Sequence, residues 1–148
     1  FDLPSTGSGP GTVYCQSTPN STGSAAQVSL SGSTSVMVDD LTIACEGVPT
    51  SSFGFFIASL SQGNIQGPGG SQGTLCLSGT VGRQVGGVIL QAGATGRVET
   101  AVHLNALPTP NGPVAGAPGE AWNFQYWFRD ANPQVTSNFS SGISVTLQ

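Results

Sequence analysis

The sequence predicts an all-β chain, a two-sheet antiparallel β-sandwich of roughly nine short strands. Three observations carry this. The stretch Ala121–Asp130 alternates strictly: Trp122, Phe124, Tyr126 and Phe128 fall on one side, Asn123, Gln125, Trp127 and Arg129 on the other, as a strand half-buried in a core requires. The remaining apolar runs are short and separated by turn residues. No window sustains the helical period of about 3.6 residues with caps at its ends.

Taken in order, residues 1–11 (FDLPSTGSGPG) read as a flexible arm or linker with an apolar tip, Phe1 and Leu3. Residues 12–148 read as one sandwich domain, long enough to bury a core. Val13–Cys15 and Ala26–Ser31 are strand candidates, with turn chemistry at Pro19–Gly23 between them. Val36–Val38 and Leu41–Cys45 place their apolar residues at opposite parity, which predicts a bulge or tight turn at Asp39-Asp40. Phe53–Leu60 is apolar on both faces and so central, with Gly54 admitting a close neighbour. Gly63–Gly73 reads as a long loop, Thr74–Leu77 as a strand, and Val85–Leu90 as a strand interrupted by Gly86-Gly87. Along Arg97–Leu104, Val98, Val102 and Leu104 point in, and Arg97, Glu99 and His103 point out. Leu107–Pro118 holds four prolines and reads as an extended loop. After the aromatic strand, Asp130–Gly142 reads as a loop, and Ile143–Leu147 as an edge strand or the last strand of a sheet.

Only 7% of residues are charged, against about a quarter in typical soluble proteins. There is no lysine, and the cations are Arg83, Arg97 and Arg129. A net charge of −4 argues against nucleic acid, which needs clustered cations. No apolar run reaches the roughly 18 residues of a membrane span. A chain that opens Phe1-Asp2 reads as a mature or excised product whose leader is gone.

The cysteines are Cys15, Cys45 and Cys76. Cys45 continues the inward set Leu41, Ile43 and reads as a small core hydrophobe. Cys15 and Cys76 lie beside turn-rich stretches and read as a disulfide pair, which would stabilise by roughly 4 kcal/mol. Three free thiols in a reducing compartment is the alternative; the composition favours an extracellular setting.

Catalytic residues are not expected. His103 is the lone histidine, and it has neither a second histidine nor a lysine to work with, nor a serine on a nucleophile elbow. It reads as a solvated strand residue. No carboxylate pair has the look of a glycosidase site, and no cofactor is implied. Asp39, Asp40 and Asp130 are weak calcium candidates without an EF-hand pattern; Asx turns explain them better. The binding candidates are Asn123, Gln125, Trp127 and Arg129, an indole with amides and a guanidinium on one strand face, which is glycan-recognition chemistry. The alternative is a face closed by a covering loop, for which Leu107–Pro118 is available. Asn20-Ser21-Thr22 and Asn138-Phe139-Ser140 match the glycosylation sequon.

Several segments together, Tyr14-Cys15, Pro19-Asn20-Ser21-Thr22-Gly23, Asp40-Leu41-Thr42-Ile43, Phe53-Gly54-Phe55-Phe56, Gly73–Gly79 (GTLCLSG), Trp122–Asp130 (WNFQYWFRD) and Asn138-Phe139-Ser140, resemble a family of modules in secreted bacterial proteins, often C-terminal in long extracellular polypeptides. The resemblance runs from Val13 to Leu147. It implies that Cys15 and Cys76 are the family's cysteine pair, that Cys45 departs from the pattern, and that the source is bacterial, with idle sequons. It implies no activity.

The expected role is therefore a secreted, non-catalytic structural, surface-assembly or attachment module, extracellular or at the cell surface. Its partners would be copies of itself or other surface proteins, met through faces and sheet edges. The Phe1–Leu3 arm would add to a neighbour's edge and build an array or filament. The alternative is a carbohydrate-binding module centred on Trp127. Neither nucleic acid nor membrane insertion is expected.

Overall fold

A computed structural model describes residues 9–148. Phe1 and Leu3, expected to form an assembly arm, lie outside the described residues. Twelve strands are present among those described: β1 (Thr12–Cys15), β2 (Gln27–Ser31), β3 (Thr42–Glu46), β4 (Phe53–Ser59), β5 (Ser61–Gln66), β6 (Thr74–Ser78), β7 (Gly82–Arg83), β8 (Leu90–Gln91), β9 (Arg97–Ala101), β10 (Ala121–Ala131), β11 (Val135–Phe139) and β12 (Gly142–Thr146). No helix among the described residues is long and apolar enough to cross a membrane.

The strands form an antiparallel sandwich. One sheet runs β1-β12-β10-β4-β7, with β11 also pairing with β10 and β8 with β4. The facing sheet runs β2-β3-β9. A separate hairpin, β5-β6, makes a third, smaller layer.

Strand β10 is the spine of the large sheet. Its even residues Trp122, Phe124, Tyr126 and Phe128 are all buried. They meet Phe56 of β4 and, from the facing sheet, Val28, Leu30, Ile43, Cys45 and Val98 in one core. Each such large side chain removed from water contributes about 2 kcal/mol. The rings of Phe56 and Tyr126 lie 4.6 Å apart at a tilt of 51°, within the centroid separation at which aromatic pairs attract. Gly54 makes room for this packing, since a Cβ built there would sit 2.6 Å from the Tyr126 hydroxyl. The close approach expected at Gly54 is thus present, and β4 is central as its apolar pattern requires.

A buried polar corner ties the two sheets. Ser140 and Ser141 are fully buried. The Ser140 N–H donates to the Tyr126 carbonyl at 2.9 Å, and the Ser141 N–H donates to the Ala26 carbonyl at 3.0 Å. The Val28 N–H donates to Ser141 Oγ at 3.0 Å. The segment leaving β11 therefore satisfies backbone groups in both sheets, as buried polar groups must be.

Several expected elements are corrected. Val36–Val38 is a turn rather than a strand, with Met37 and Val38 exposed. The parity break it signalled is real, and Asp39 takes a left-handed φ of 54°. Gly63–Gly73 is not wholly a loop, because β5 extends to Gln66 and pairs with β6. The interruption expected at Gly86-Gly87 is present and wider than expected, leaving only Leu90 of Val85–Leu90 in a strand. A 3-10 turn occupies Val85–Gly87, with Gly86 and Gly87 at φ 76° and 74°, values that suit glycine. Asp130–Gly142 contains β11, which continues the sheet beside β10. The last strand, β12, lies between β1 and β10 rather than at an edge.

The disulfide joins Cys15 of β1 to Cys76 of β6 across a separation of 61 residues, with Cα atoms 6.2 Å apart. It staples the hairpin to the large sheet. Cys45 is free and buried in the core, as its parity requires.

Candidate functional site

The outward face of β10 is divided between a covered half and an open half. The β5-β6 hairpin covers the first half. Asn123 is buried there, donating from Nδ2 to the Ser59 carbonyl at 3.1 Å and accepting from Gln62 Nε2 at 3.2 Å. Gln125 is completely buried. Its Oε1 accepts the Cys76 N–H at 2.9 Å, and its Nε2 donates to the Thr74 and Ser140 carbonyls, both at 2.7 Å. These amides replace ladder hydrogen bonds between sheet and hairpin. The expectation that Asn123 and Gln125 offer themselves to a ligand is therefore corrected: their donors and acceptors are consumed inside the protein. The cover is the hairpin, not Leu107–Pro118. That loop packs instead at the end of the main core, where Leu107 is fully buried and bridges to Val114.

The second half of the face stays open. Trp127 is half-buried, its ring centroid 5.1 Å from that of Phe55 on the paired strand. The Arg129 guanidinium lies over the Trp127 ring at 5.1 Å, a cation–π arrangement. Arg129 is exposed, and Phe53, one pleat along β4 from Phe55, is 53% exposed. Beneath the indole, Ile57, Leu77 and Phe139 form a small second core that includes Leu75 and Val81 at its margin. Ile57, Phe139, Leu75 and Val81 also line the open cleft above.

These residues floor a cleft of about 750 Å³. One wall is the Pro68-Gly69 turn with Leu75 and Ser137; the other is Val81, Arg83 and Ile89. No carboxylate lines it among the described residues. The structure thus keeps Trp127 and Arg129 together and adds Phe53, Phe55, Arg83 and Ile89, which the sequence did not point to. The signal for the two phenylalanines was present in the spacing of Phe53-Gly54-Phe55. Arg83 gave no signal, being remote from β10 along the chain.

The other candidates have local structural employment. Asp39 Oδ1 accepts the Leu104 N–H at 3.0 Å, and Asp40 Oδ1 accepts the Ser33 N–H at 2.7 Å. Asp130 Oδ2 accepts the Ser21 N–H at 2.9 Å. No group of three or more His, Cys, Asp or Glu side chains converges among the described residues. His103 is exposed, its Nδ1 4.0 Å from Asp39 Oδ2, and lines a second hollow of about 420 Å³ that Arg83 also lines. Both sequon asparagines are buried. Asn20 Nδ2 donates to the Gly47 carbonyl at 2.8 Å, and Asn138 Nδ2 faces the Pro19 carbonyl at 3.4 Å, so neither amide is presented to solvent. Burial pushes the Cys45 thiol pKa well up, which keeps it protonated and unreactive. Searches with this chain against protein-family models, curated proteins and solved structures find no match.

Proposed function

We propose that this domain is a non-catalytic attachment module of the extracellular space or cell surface, and that it holds a glycan in the cleft beside Trp127. The observation that carries the reading is the uncovered half of β10, where a half-buried indole and two phenylalanines form an apolar floor edged by arginine. Flat aromatic surface with a few polar groups at its margin suits the face of a sugar ring. The disulfide and the sparse charge support an extracellular setting. A glycan array tests the function: binding above background that disappears in Trp127→Ala supports it. Absence of signal, or signal indifferent to that substitution, removes it.

A second reading, self-assembly through sheet edges, is favoured by the order β2-β3-β9, which leaves β2 and β9 at the margins of their sheet among the described residues. Sedimentation of the chain lacking residues 1–11 tests it. Unchanged association would rule out a role for the arm.

A further inference from the structure

We infer that the occupant of the cleft is an acidic saccharide, a sugar chain whose carboxylate or sulfate groups are taken by Arg83 and Arg129 while a ring face lies on Trp127. The inference rests on the glycan reading and narrows it to a chemical class. The chain has only three cations, and two of them line this one cleft. The third, Arg97, sits on the other sheet and is engaged by Glu46 at 3.1 Å and by Glu99. A protein of net charge −4 thus has both remaining arginines on the lining of one apolar hollow, Arg83 bordering the neighbouring hollow as well, and no described carboxylate in that lining.

The polar inventory of the cleft points the same way. A neutral sugar presents hydroxyls that need both donors and acceptors. The two side-chain amides of the β10 outer face that supply both are bonded away beneath the hairpin. Among the lining side chains, Arg83, Arg129, Trp127 with its indole N–H, and Ser137 are the polar ones. Three of these four only donate, and guanidinium matches carboxylate or sulfate oxygens in a fork. The Arg129 guanidinium lies over the Trp127 ring before any ligand arrives, so a sugar face takes its place there as the ligand's anion draws the guanidinium aside.

The test is calorimetric titration of the whole chain with four probes: tetragalacturonate, a sulfated dextran oligomer, neutral cellotetraose and polyglutamate. Tetragalacturonate or sulfated dextran should bind about tenfold or more tightly than cellotetraose. Arg83→Gln and Arg129→Gln should each weaken that binding about tenfold, and added salt should weaken it further. Both arginines are exposed, so the variants should retain the parent unfolding temperature. The two acidic sugars distinguish carboxylate from sulfate as the anion. Equal binding of cellotetraose, untouched by either arginine substitution, overturns the acidic class while leaving the glycan reading standing. Binding of polyglutamate alone, or of no probe, overturns both.

Discussion

One amide of Gln125 holds Cys76 in place: its Oε1 accepts the Cys76 N–H at 2.9 Å, and its Nε2 lies 3.3 Å from the Cys76 sulfur. The same nitrogen donates to the carbonyls of Thr74 and Ser140. A single side chain of β10 thus fixes β6, the disulfide and the turn after β11. Gln125→Ala would strand a buried N–H and two buried carbonyls, and should destabilise the fold by about 3 kcal/mol or more. Denaturant midpoints of the variant and the parent check this. A change below about 1 kcal/mol would mean that the hairpin is not anchored through Gln125.

The Tyr126 hydroxyl behaves in the opposite way. It is buried and has no hydrogen-bond partner among the described residues. Burial also drives its pKa upward. Removing a desolvated, unpaired hydroxyl should be neutral or stabilising by up to about 1 kcal/mol. Thermal unfolding of Tyr126→Phe reads this directly, and a clear loss of stability would reveal a partner for the hydroxyl.

Tyr14 predicts alkaline instability. Its hydroxyl donates to the Cys76 carbonyl at 2.6 Å, and burial pushes its pKa up to about 12, from the usual tyrosine value near 10. The folded state therefore keeps the proton where the unfolded state releases it. This contribution to stability is complete below about pH 10 and is lost as pH rises toward 12. Denaturant midpoints measured across that window should fall in the parent and fall less in Tyr14→Phe. Parallel curves would contradict the assignment.

How much of this was legible in the sequence differs between the two faces of one strand. The inward face of β10 could be read because large aromatics at alternate positions have one economical arrangement, a sheet core. The outward face could not. Asn123 and Gln125 have the same letters whether they meet water or a buried backbone, and the backbone that buries them belongs to a hairpin disguised by glycines at Gly63, Gly67, Gly69, Gly70 and Gly73. Strand β11 was hidden for a related reason: Val135 is 84% exposed, so its segment lacks the alternation that marks a half-buried strand. The cleft was half visible, through Trp127 and Arg129. Arg83 joins it only because β7 pairs with β4 at Ile57, a long-range pairing that local pattern does not encode.

The two tryptophans allow the most direct test of the open half of β10 as the working surface. Trp122 is buried, its Nε1–H donating to Glu120 at 3.1 Å, whereas Trp127 lines the cleft. Their indole N–H signals in a nitrogen–proton correlation spectrum should respond differently to tetragalacturonate. The Trp127 signal should move progressively to saturation while that of Trp122 stays fixed. A stationary Trp127 signal at saturating ligand, or a shift confined to Trp122, would contradict the placement of the site.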